Sequence, residues 1–228
     1  MLKNKIWVLA ILSSLLFSKP TKAQDWANLT KYQSANEKIG LPDSKEYRVV
    51  FMGNSITEGW TKSFFEGKPY VNRGIGGQTT PQMLLRFRQD VINLKPKIVL
   101  ILAGTNDIAG NTGPMTLEQI RDNILSMVEL AQSNGILPIV CSVLPAYDYP
   151  WRPGLEPNIK IPKLNKMLAD MAKEQNVPYL DYFKNMTDDR NGLPKELTSD
   201  EVHLTKKGYE ILGSLAEEAI EKATSMLK

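Results

Sequence analysis

The sequence predicts an α/β fold, a three-layer α/β/α sandwich around a five-stranded, mostly parallel sheet. Short apolar runs alternate along the chain with longer stretches whose apolar residues recur at helical spacing. This alternation is typical of parallel sheets that are covered by helices on both faces. Polar or glycine-rich segments also follow several apolar runs, and loops beyond the carboxyl ends of parallel strands are where such folds bind their ligands.

Five apolar runs are predicted as strands. The first ends sharply at Gly53, and the second ends in glycines. The third, KIVLILA, is continuously apolar, as expected of a strand that is buried on both faces. In chain order the five runs are residues 47–52, 70–72, 97–103, 137–143 and 177–182.

Four stretches between and after these runs are predicted as helices. The first has Pro81 in its first turn, where proline is tolerated. The second opens with Thr116 and Gln119 at the spacing of a capping box and stops before Gly135. The four stretches are residues 80–94, 116–133, 160–175 and 205–227.

The first 23 residues have the layout of a secretory signal peptide. Lys3 and Lys5 precede an apolar stretch at 6–17, and the segment ends in the small residue Ala23. The apolar stretch is shorter than the roughly 20 residues that span a bilayer, which disfavours an uncleaved anchor. We therefore expect export to the periplasm or the medium, with no stable membrane anchor after cleavage.

One domain, residues 24–228, is expected to follow, beginning with a polar, irregular lead at 24–46. The leader carries four lysines and no acid, so the formal charge of +3 for the full chain becomes −1 for the remainder. A nearly neutral protein lacks the basic field that attracts nucleic acid. The lone Cys141 lies in an apolar run and is expected to be buried, and no disulfide can form within the chain.

His203 is the only histidine, and it lies three residues after Asp200. A serine hydroxyl needs a neighbouring base to become a good nucleophile, and a carboxylate can orient that base. Ser55 follows the first strand directly and could be that nucleophile. The alternatives are that Ser55 caps a helix and that His203 is an ordinary hydrogen-bonded histidine. With one histidine and one cysteine the usual zinc sets cannot form, so we expect no metal and no cofactor.

Ester hydrolysis also needs donors for the oxyanion of the tetrahedral intermediate. Candidate donors are the Ser55 N–H, a glycine N–H within residues 74–77, and the side-chain amide of Asn106. The glycines could instead form only a tight turn. The phosphate-binding patterns of nucleotide-binding loops are absent, which disfavours a phosphate site.

Four segments taken together resemble the SGNH (GDSL-like) hydrolase superfamily, a flavodoxin-like α/β fold. They are FMGNSITEG, NRGIGGQTT, GTND and DEVHLT, in this order. The resemblance implies Ser55 as nucleophile, with Asp200 and His203 completing a catalytic triad. It also implies Gly77, in preference to Gly76, and Asn106 as oxyanion donors beside the Ser55 N–H.

Two positions depart from the family pattern. Asn54 stands where an aspartate usually precedes the nucleophile, and Glu201 stands where a glycine usually follows the triad aspartate. Asn54 keeps a short acceptor that can bond to nearby backbone, so we expect catalysis to survive. Glu201 is expected to affect only the local turn.

Within the superfamily the chain is similar to acetylhydrolases and to platelet-activating-factor acetylhydrolase-like esterases. We expect a carboxylic ester hydrolase that removes short acyl groups from a small-molecule or glycan ester. Alternatives are a lysophospholipase or thioesterase, and a non-catalytic carbohydrate-binding protein. Trp151 could stack on a sugar or cover core, and Arg152 could bind an anion or be solvated. The predicted substrate contacts are Asn54, Gly76, Tyr147, Trp151 and Arg152.

Overall fold

The computed structural model describes residues 24–43 and 46–227, so the predicted signal peptide lies outside the described residues. The strands are β1 (Val49–Gly53), β2 (Tyr70–Gly74), β3 (Ile98–Leu102), β4 (Leu137–Cys141) and β5 (Tyr179–Leu180). They form one sheet in the order β2-β1-β3-β4-β5, and every neighbouring pair is parallel. The predicted fold class is confirmed.

Helices of very different length precede, connect and follow these strands. In chain order they are α1 (Gln33–Ile39), α2 (Ser55–Glu58), α3 (Lys62–Phe65), α4 (Thr80–Asp90), α5 (Thr105–Ile108), α6 (Leu117–Gln132), α7 (Pro157–Glu174), α8 (Tyr182–Met186) and α9 (Lys206–Met226). The four long helices were predicted. The short ones were not, because one turn of helix has too few residues to show a period.

The predicted boundaries of most elements differ from the observed ones by a few residues, as three elements illustrate. The first predicted helix ends at Asp90, and a 3₁₀ turn (Ile92–Leu94) follows it. Helix α7 begins three residues earlier than predicted, at Pro157, because proline is well suited to the first position of a helix. The last strand has only two residues, Tyr179 and Leu180. The capping box of Thr116 and Gln119 is confirmed.

The sheet separates two hydrophobic cores because successive strand side chains point to opposite faces. One core packs the sheet against α4, α6 and α7, and its buried strand residues are Val50, Met52, Val71, Val99, Ile101 and Val140. The other packs the sheet against α2, α8 and α9, and its strand residues include Val49, Phe51, Ile98, Leu100 and Ile139. Cys141 is buried in this second core, as predicted.

The N-terminal lead is not irregular, and this prediction was wrong. It contains α1, and we call residues 24–39 the N-terminal strap. None of the residues of α1 is buried, so the helix shows no apolar period. Polar side chains hold it instead: the Asn36 amide donates to Asp90 Oδ1 at 2.7 Å and accepts from Arg73 Nε at 2.9 Å. Hydrogen bonds of this kind leave no pattern in a sequence.

The parallel register aligns the carboxyl ends of three strands. Gly53 at the end of β1 lies opposite Gly74 of β2 and Leu102 of β3. The loops that follow these strands therefore meet at one edge of the sheet. Among the helices of the described residues, none is both long enough and apolar enough to cross a membrane.

Candidate active site

The turn after β1 places Ser55 at the start of α2. The side chain of Asn54 caps this helix, since its Oδ1 accepts from the Ile56 N–H at 3.0 Å. Gly53 must be glycine, because a Cβ atom there would lie 2.0 Å from Thr57 Oγ1. Asn54 is 2% exposed, and its side chain is occupied by the helix cap; the substrate contact predicted for it stays a prediction. Asn54 stabilises the turn through this cap.

The structure brings together the three residues of the predicted triad. Ser55 Oγ lies 3.0 Å from His203 Nε2, and His203 Nδ1 lies 2.7 Å from Asp200 Oδ2. The other carboxylate oxygen of Asp200 accepts from the backbone N–H groups of His203 at 2.7 Å and Val202 at 3.1 Å. Burial raises the pKa of Asp200, but these hydrogen bonds outweigh it and leave the pKa below its ordinary value. Asp200 is therefore ionised at neutral pH and can orient the imidazole.

Glu201, the second departure from the family pattern, lies in the left-handed region with φ +71°. Glycine adopts this conformation freely, whereas other residues pay roughly 1–2 kcal/mol for it. Arg190 Nη2 lies 3.6 Å from Glu201 Oε2 and provides a partner of opposite charge. The departure therefore falls at a turn position that favours glycine, beside Asp200.

The predicted oxyanion donors lie on the three loops that meet at this edge. The Ser55 N–H belongs to the first residue of α2 and so has no partner within the helix. Gly77 has φ +74°, and its N–H makes no hydrogen bond to any of the described residues. The Gly76 N–H instead donates to Glu58 Oε2 at 2.6 Å. Asn106 is 5% exposed, and one of its amide hydrogens binds the Gln78 carbonyl at 2.9 Å.

This geometry favours Gly77 over Gly76 as an oxyanion donor, because only the Gly77 N–H is uncommitted. Gly76 nevertheless borders the nucleophile, since a Cβ atom on it would lie 3.8 Å from Ser55 Cβ. The amide of Asn106 keeps a second hydrogen available after binding Gln78. The three donor roles themselves remain predictions.

Asp107 is a buried carboxylate beside Asn106. Its Oδ1 accepts from Thr80 N at 2.8 Å and from Thr80 Oγ1 at 2.6 Å, while its Oδ2 has no partner among the described residues. Burial raises the pKa of Asp107 to about 6, although the bonds from Thr80 lower it. The residue thus joins the loop of Asn106 to the helix that follows Gly77.

We expect Asp107→Asn to change the pH dependence of stability. In the unfolded chain the carboxyl titrates near 3.8, so between this value and about 6 the folded state holds a proton that the unfolded state has released. The stability that the group contributes is greatest below the lower value and is lost as pH rises through about 6. Asparagine removes this loss, which amounts to about 3 kcal/mol for a shift of about two pKa units.

Urea unfolding of both proteins at several pH values between 4 and 8 measures this effect. The free energy of unfolding of Asp107→Asn minus that of the parent should rise between pH 4 and about 6 and stay level from there to pH 8. Contributions from groups other than Asp107 are common to both proteins and cancel in the difference. A difference that stays constant with pH would contradict the expected ionisation of Asp107.

An aromatic platform borders the base. The buried Tyr149 hydroxyl donates to the Thr105 carbonyl at 3.0 Å and lies within hydrogen-bond distance of Thr105 Oγ1, at 2.8 Å. Trp151 stacks on the Tyr149 ring with 5.3 Å between centroids, and its own ring lies 6.3 Å from that of His203. Trp151 is 45% exposed, so one face of the platform remains open to a ligand.

The other two predicted substrate contacts are held elsewhere on the rim. Arg152 Nη1 donates to the carbonyls of Ala109 and Gly110, each at 2.7 Å, so it fastens the end of the loop after α5. Tyr147 is exposed and lies under the Arg190 guanidinium, 4.8 Å from the ring centre. Only Trp151 of the three comes near the triad in the contacts observed.

Residues that support the site were missed by the sequence analysis. Gln78 follows Gly77 within NRGIGGQTT, and Glu58 lies within FMGNSITEG, so both stand in segments that were singled out. A polar side chain within such a segment was the available signal. For Arg86, which is fully buried, the signal was a charge on the apolar face of a predicted helix.

Comparison with known proteins decides the family. Residues 51–211 match the model of the GDSL-like Lipase/Acylhydrolase family. The chain belongs to this family. The predicted resemblance is confirmed, and the chain is an ester hydrolase of the SGNH type. The match begins within β1, so the N-terminal strap precedes it.

Individual relatives agree with this assignment. A GDSL-like lipase from Bacteroides thetaiotaomicron is 46% identical and superposes with a TM-score of 0.84, over 86% of this chain and 98% of that one. The human platelet-activating factor acetylhydrolase IB subunit alpha2 is 28% identical over 200 residues, which cover 83% of each chain. The Bacillus subtilis lipoprotein YqeF is 29% identical over 168 residues, covering 62% of this chain and 69% of its own.

Proposed function

We propose that this acylhydrolase is an exported serine esterase that removes short acyl groups, acetyl above all, from carbohydrate hydroxyls. The observation that carries the mechanism is the continuous chain of hydrogen bonds from Ser55 Oγ through His203 to Asp200. This arrangement activates a hydroxyl for attack on a carbonyl carbon.

Acylation begins when Ser55 Oγ attacks the ester carbonyl and His203 Nε2 takes its proton. Asp200 stabilises the imidazolium through Nδ1–H. The N–H groups of Ser55 and Gly77 and the amide of Asn106 donate to the oxyanion. When the intermediate collapses, His203 returns the proton to the leaving alcohol, and the acyl group stays on Ser55.

Deacylation repeats these steps with water as the nucleophile. His203 takes a proton from water, whose oxygen attacks the acyl carbon, and the same donors bind the second oxyanion. Collapse releases the carboxylic acid and returns the proton to Ser55 Oγ. Each step uses groups that already lie within hydrogen-bond distance or on the facing loops.

The position of Trp151 supports a carbohydrate as the alcohol. Because His203 must reach the leaving oxygen, a group beside its ring contacts the alcohol part of the substrate. The side chains of His203 and Asp200 are 40% and 41% exposed, so a bulky alcohol can approach the triad. An open, fixed indole face is suited to the apolar face of a sugar ring.

The short acyl group and export rest on other observations. The human relative is named for acetyl hydrolysis, and it aligns over most of both chains. Export rests on the leader-like first 23 residues. The similarity to a Bacillus subtilis protein that is named as a lipoprotein agrees with it.

A substrate series tests the proposal. Purified protein is assayed on p-nitrophenyl esters from acetate to octanoate and on acetylated xylo-oligosaccharides, with fluorophosphonate labelling located by mass spectrometry. We expect the highest kcat/KM at acetyl and labelling of Ser55. Activity that rises toward octanoate would indicate a lysophospholipase or thioesterase instead. Glycan binding without labelling would indicate a non-catalytic binding protein.

We expect Trp151→Ala to raise KM for acetylated xylo-oligosaccharides about tenfold, because an aromatic contact of this kind is worth up to about 1.5 kcal/mol. Turnover of vinyl acetate, whose leaving group has no ring to stack, should be unchanged. Tyr47→Ala is the matched control, since Tyr47 is an exposed aromatic residue that precedes β1, at the opposite end of this strand from Ser55. Equal effects of Trp151→Ala on both substrates would argue against a sugar platform.

A further inference from the structure

One buried residue, Gln78, adjoins two of the three predicted oxyanion donors, Gly77 and Asn106. Gln78 is 3% exposed. Its carbonyl accepts from Asn106 Nδ2 at 2.9 Å, and its own N–H donates to the Ile75 carbonyl at 3.3 Å. Gly77 precedes it directly. The orientation of the Gln78 backbone therefore affects both Gly77 and Asn106.

The side chain of Gln78 is fixed at both of its polar ends. Its Oε1 accepts from Arg86 Nε at 2.5 Å, and its Nε2 donates to the Ala27 carbonyl at 2.7 Å. Arg86 in turn donates from Nη2 to the Gly53 carbonyl at 3.0 Å and pairs with Asp90 at 3.1 Å. The turn that carries Ser55 and the side chain of Gln78 therefore both accept hydrogen bonds from the buried guanidinium of Arg86.

Ala27 belongs to the N-terminal strap, which also contacts the other end of the same loop. The Tyr32 hydroxyl donates to the Gly74 carbonyl. Lys31 forms an ion pair with Glu58, whose other oxygen accepts from the Gly76 N–H at 2.6 Å. We call residues 74–78 the oxyanion loop. The strap therefore reaches it at Gly74, at Gly76 through Glu58, and at Gln78.

We propose that the N-terminal strap is a positioning element of the active site, and that Gln78 is the positioning residue through which it acts on the oxyanion donors. This inference rests on the proposed function, because it takes Gly77 and Asn106 as donors to the oxyanion. Donors of this kind act only when they are already aligned with the charge that develops in the transition state. A loop held at three points from one segment retains that alignment.

The strap lies before residue 51, where the family match begins. The shared family region thus supplies the reacting groups, and a segment outside it completes their support. Among the described residues, no hydrogen bond or ion pair joins the strap to Ser55, Asp200 or His203. The contribution of the strap is to keep the oxyanion loop in one conformation.

Gln78→Met tests the central contact, because methionine keeps the volume and loses both hydrogen bonds. We expect kcat to fall about 10- to 100-fold, as small misplacements of catalytic groups do. KM should stay within about twofold, since an oxyanion contact is made in the transition state. Rates are expressed per serine titrated with fluorophosphonate, so that unfolded protein does not count.

Gln132→Met is the matched control. Gln132 Nε2 donates to the Gln175 carbonyl at 3.0 Å, the same type of bond between the ends of α6 and α7, with no hydrogen bond to the strap or to Arg86 among the described residues. Its loss should lower the melting temperature and leave kcat unchanged. Tyr32→Phe serves as a second test that removes a single hydroxyl, and a fall of about fivefold in kcat is expected from the loss of one hydrogen bond.

Unchanged kcat per titrated serine in both Gln78→Met and Tyr32→Phe would overturn the inference. So would an equal loss of kcat in Gln132→Met, which would indicate a general effect of stability. The proposed function is judged separately by Ser55→Ala. If that variant is inactive while Gln78→Met is fully active, only the inference fails; if it retains activity, the proposed function fails.

Discussion

Ser55→Ala is expected to lower kcat for p-nitrophenyl acetate by about 10⁵-fold or more, since loss of a serine nucleophile in a triad has effects of this size. The reason lies in the geometry. Ser55 Oγ lies 3.0 Å from His203 Nε2, within reach to pass its proton to the ring. Without it no acyl-enzyme can form, and the residual rate comes from oxyanion donors acting on a water molecule.

The fold should survive this change. Among the residues that the structure describes, Ser55 Oγ hydrogen-bonds only to His203, and the helix cap is supplied by Asn54. We expect the free energy of unfolding to change by less than about 0.5 kcal/mol. Ser63→Ala, at an exposed serine of α3, is the matched control and should keep full activity. Turnover in Ser55→Ala close to that of Ser63→Ala would rule out Ser55 as the nucleophile.

Asp200→Asn is expected to lower kcat about 10⁴-fold, the effect of the corresponding change in a serine–histidine–aspartate triad. The Asn oxygen can still accept from the backbone N–H groups of Val202 and His203. Its amide then points donors at His203 Nδ1. The ring must accept there and carry its proton on Nε2, which leaves no acceptor for the proton of Ser55.

The measurement is kcat between pH 6 and 9, together with fluorophosphonate labelling. If the tautomer of His203 limits the variant, labelling should slow by the same factor as turnover at every pH. Asp188→Asn is a suitable control, because Asp188 also accepts backbone N–H groups in a nearby turn but does not contact His203. A loss of less than tenfold in Asp200→Asn would show that another group orients the ring.

The long elements were predictable because their signals are local. The apolar run of β3 and the capping box of α6 depend on neighbours within a few residues. The two-residue strand β5 was predicted too long, because an apolar run does not show where pairing with β4 ends. The one-turn helix α5, which carries Asn106, was missed for lack of length.

The candidate site was predictable in its reacting groups and much less so in its support. His203 has no competitor in the chain, and motifs point to Ser55, Asp200 and Asn106. Asn54 was expected to face the substrate, yet folding buries it as a helix cap.

The sequence by itself determined the α/β class, the family and the candidate reacting groups, because apolar period and motif spacing are properties of short segments. Only the tertiary structure decided which glycine N–H is free, that Trp151 lies beside the base, and that the N-terminal strap reaches the oxyanion loop. Each of these depends on a contact between residues far apart in the chain, such as Ala27 and Gln78. Such contacts form through buried polar groups that must find partners, and no periodic pattern records which partner they find.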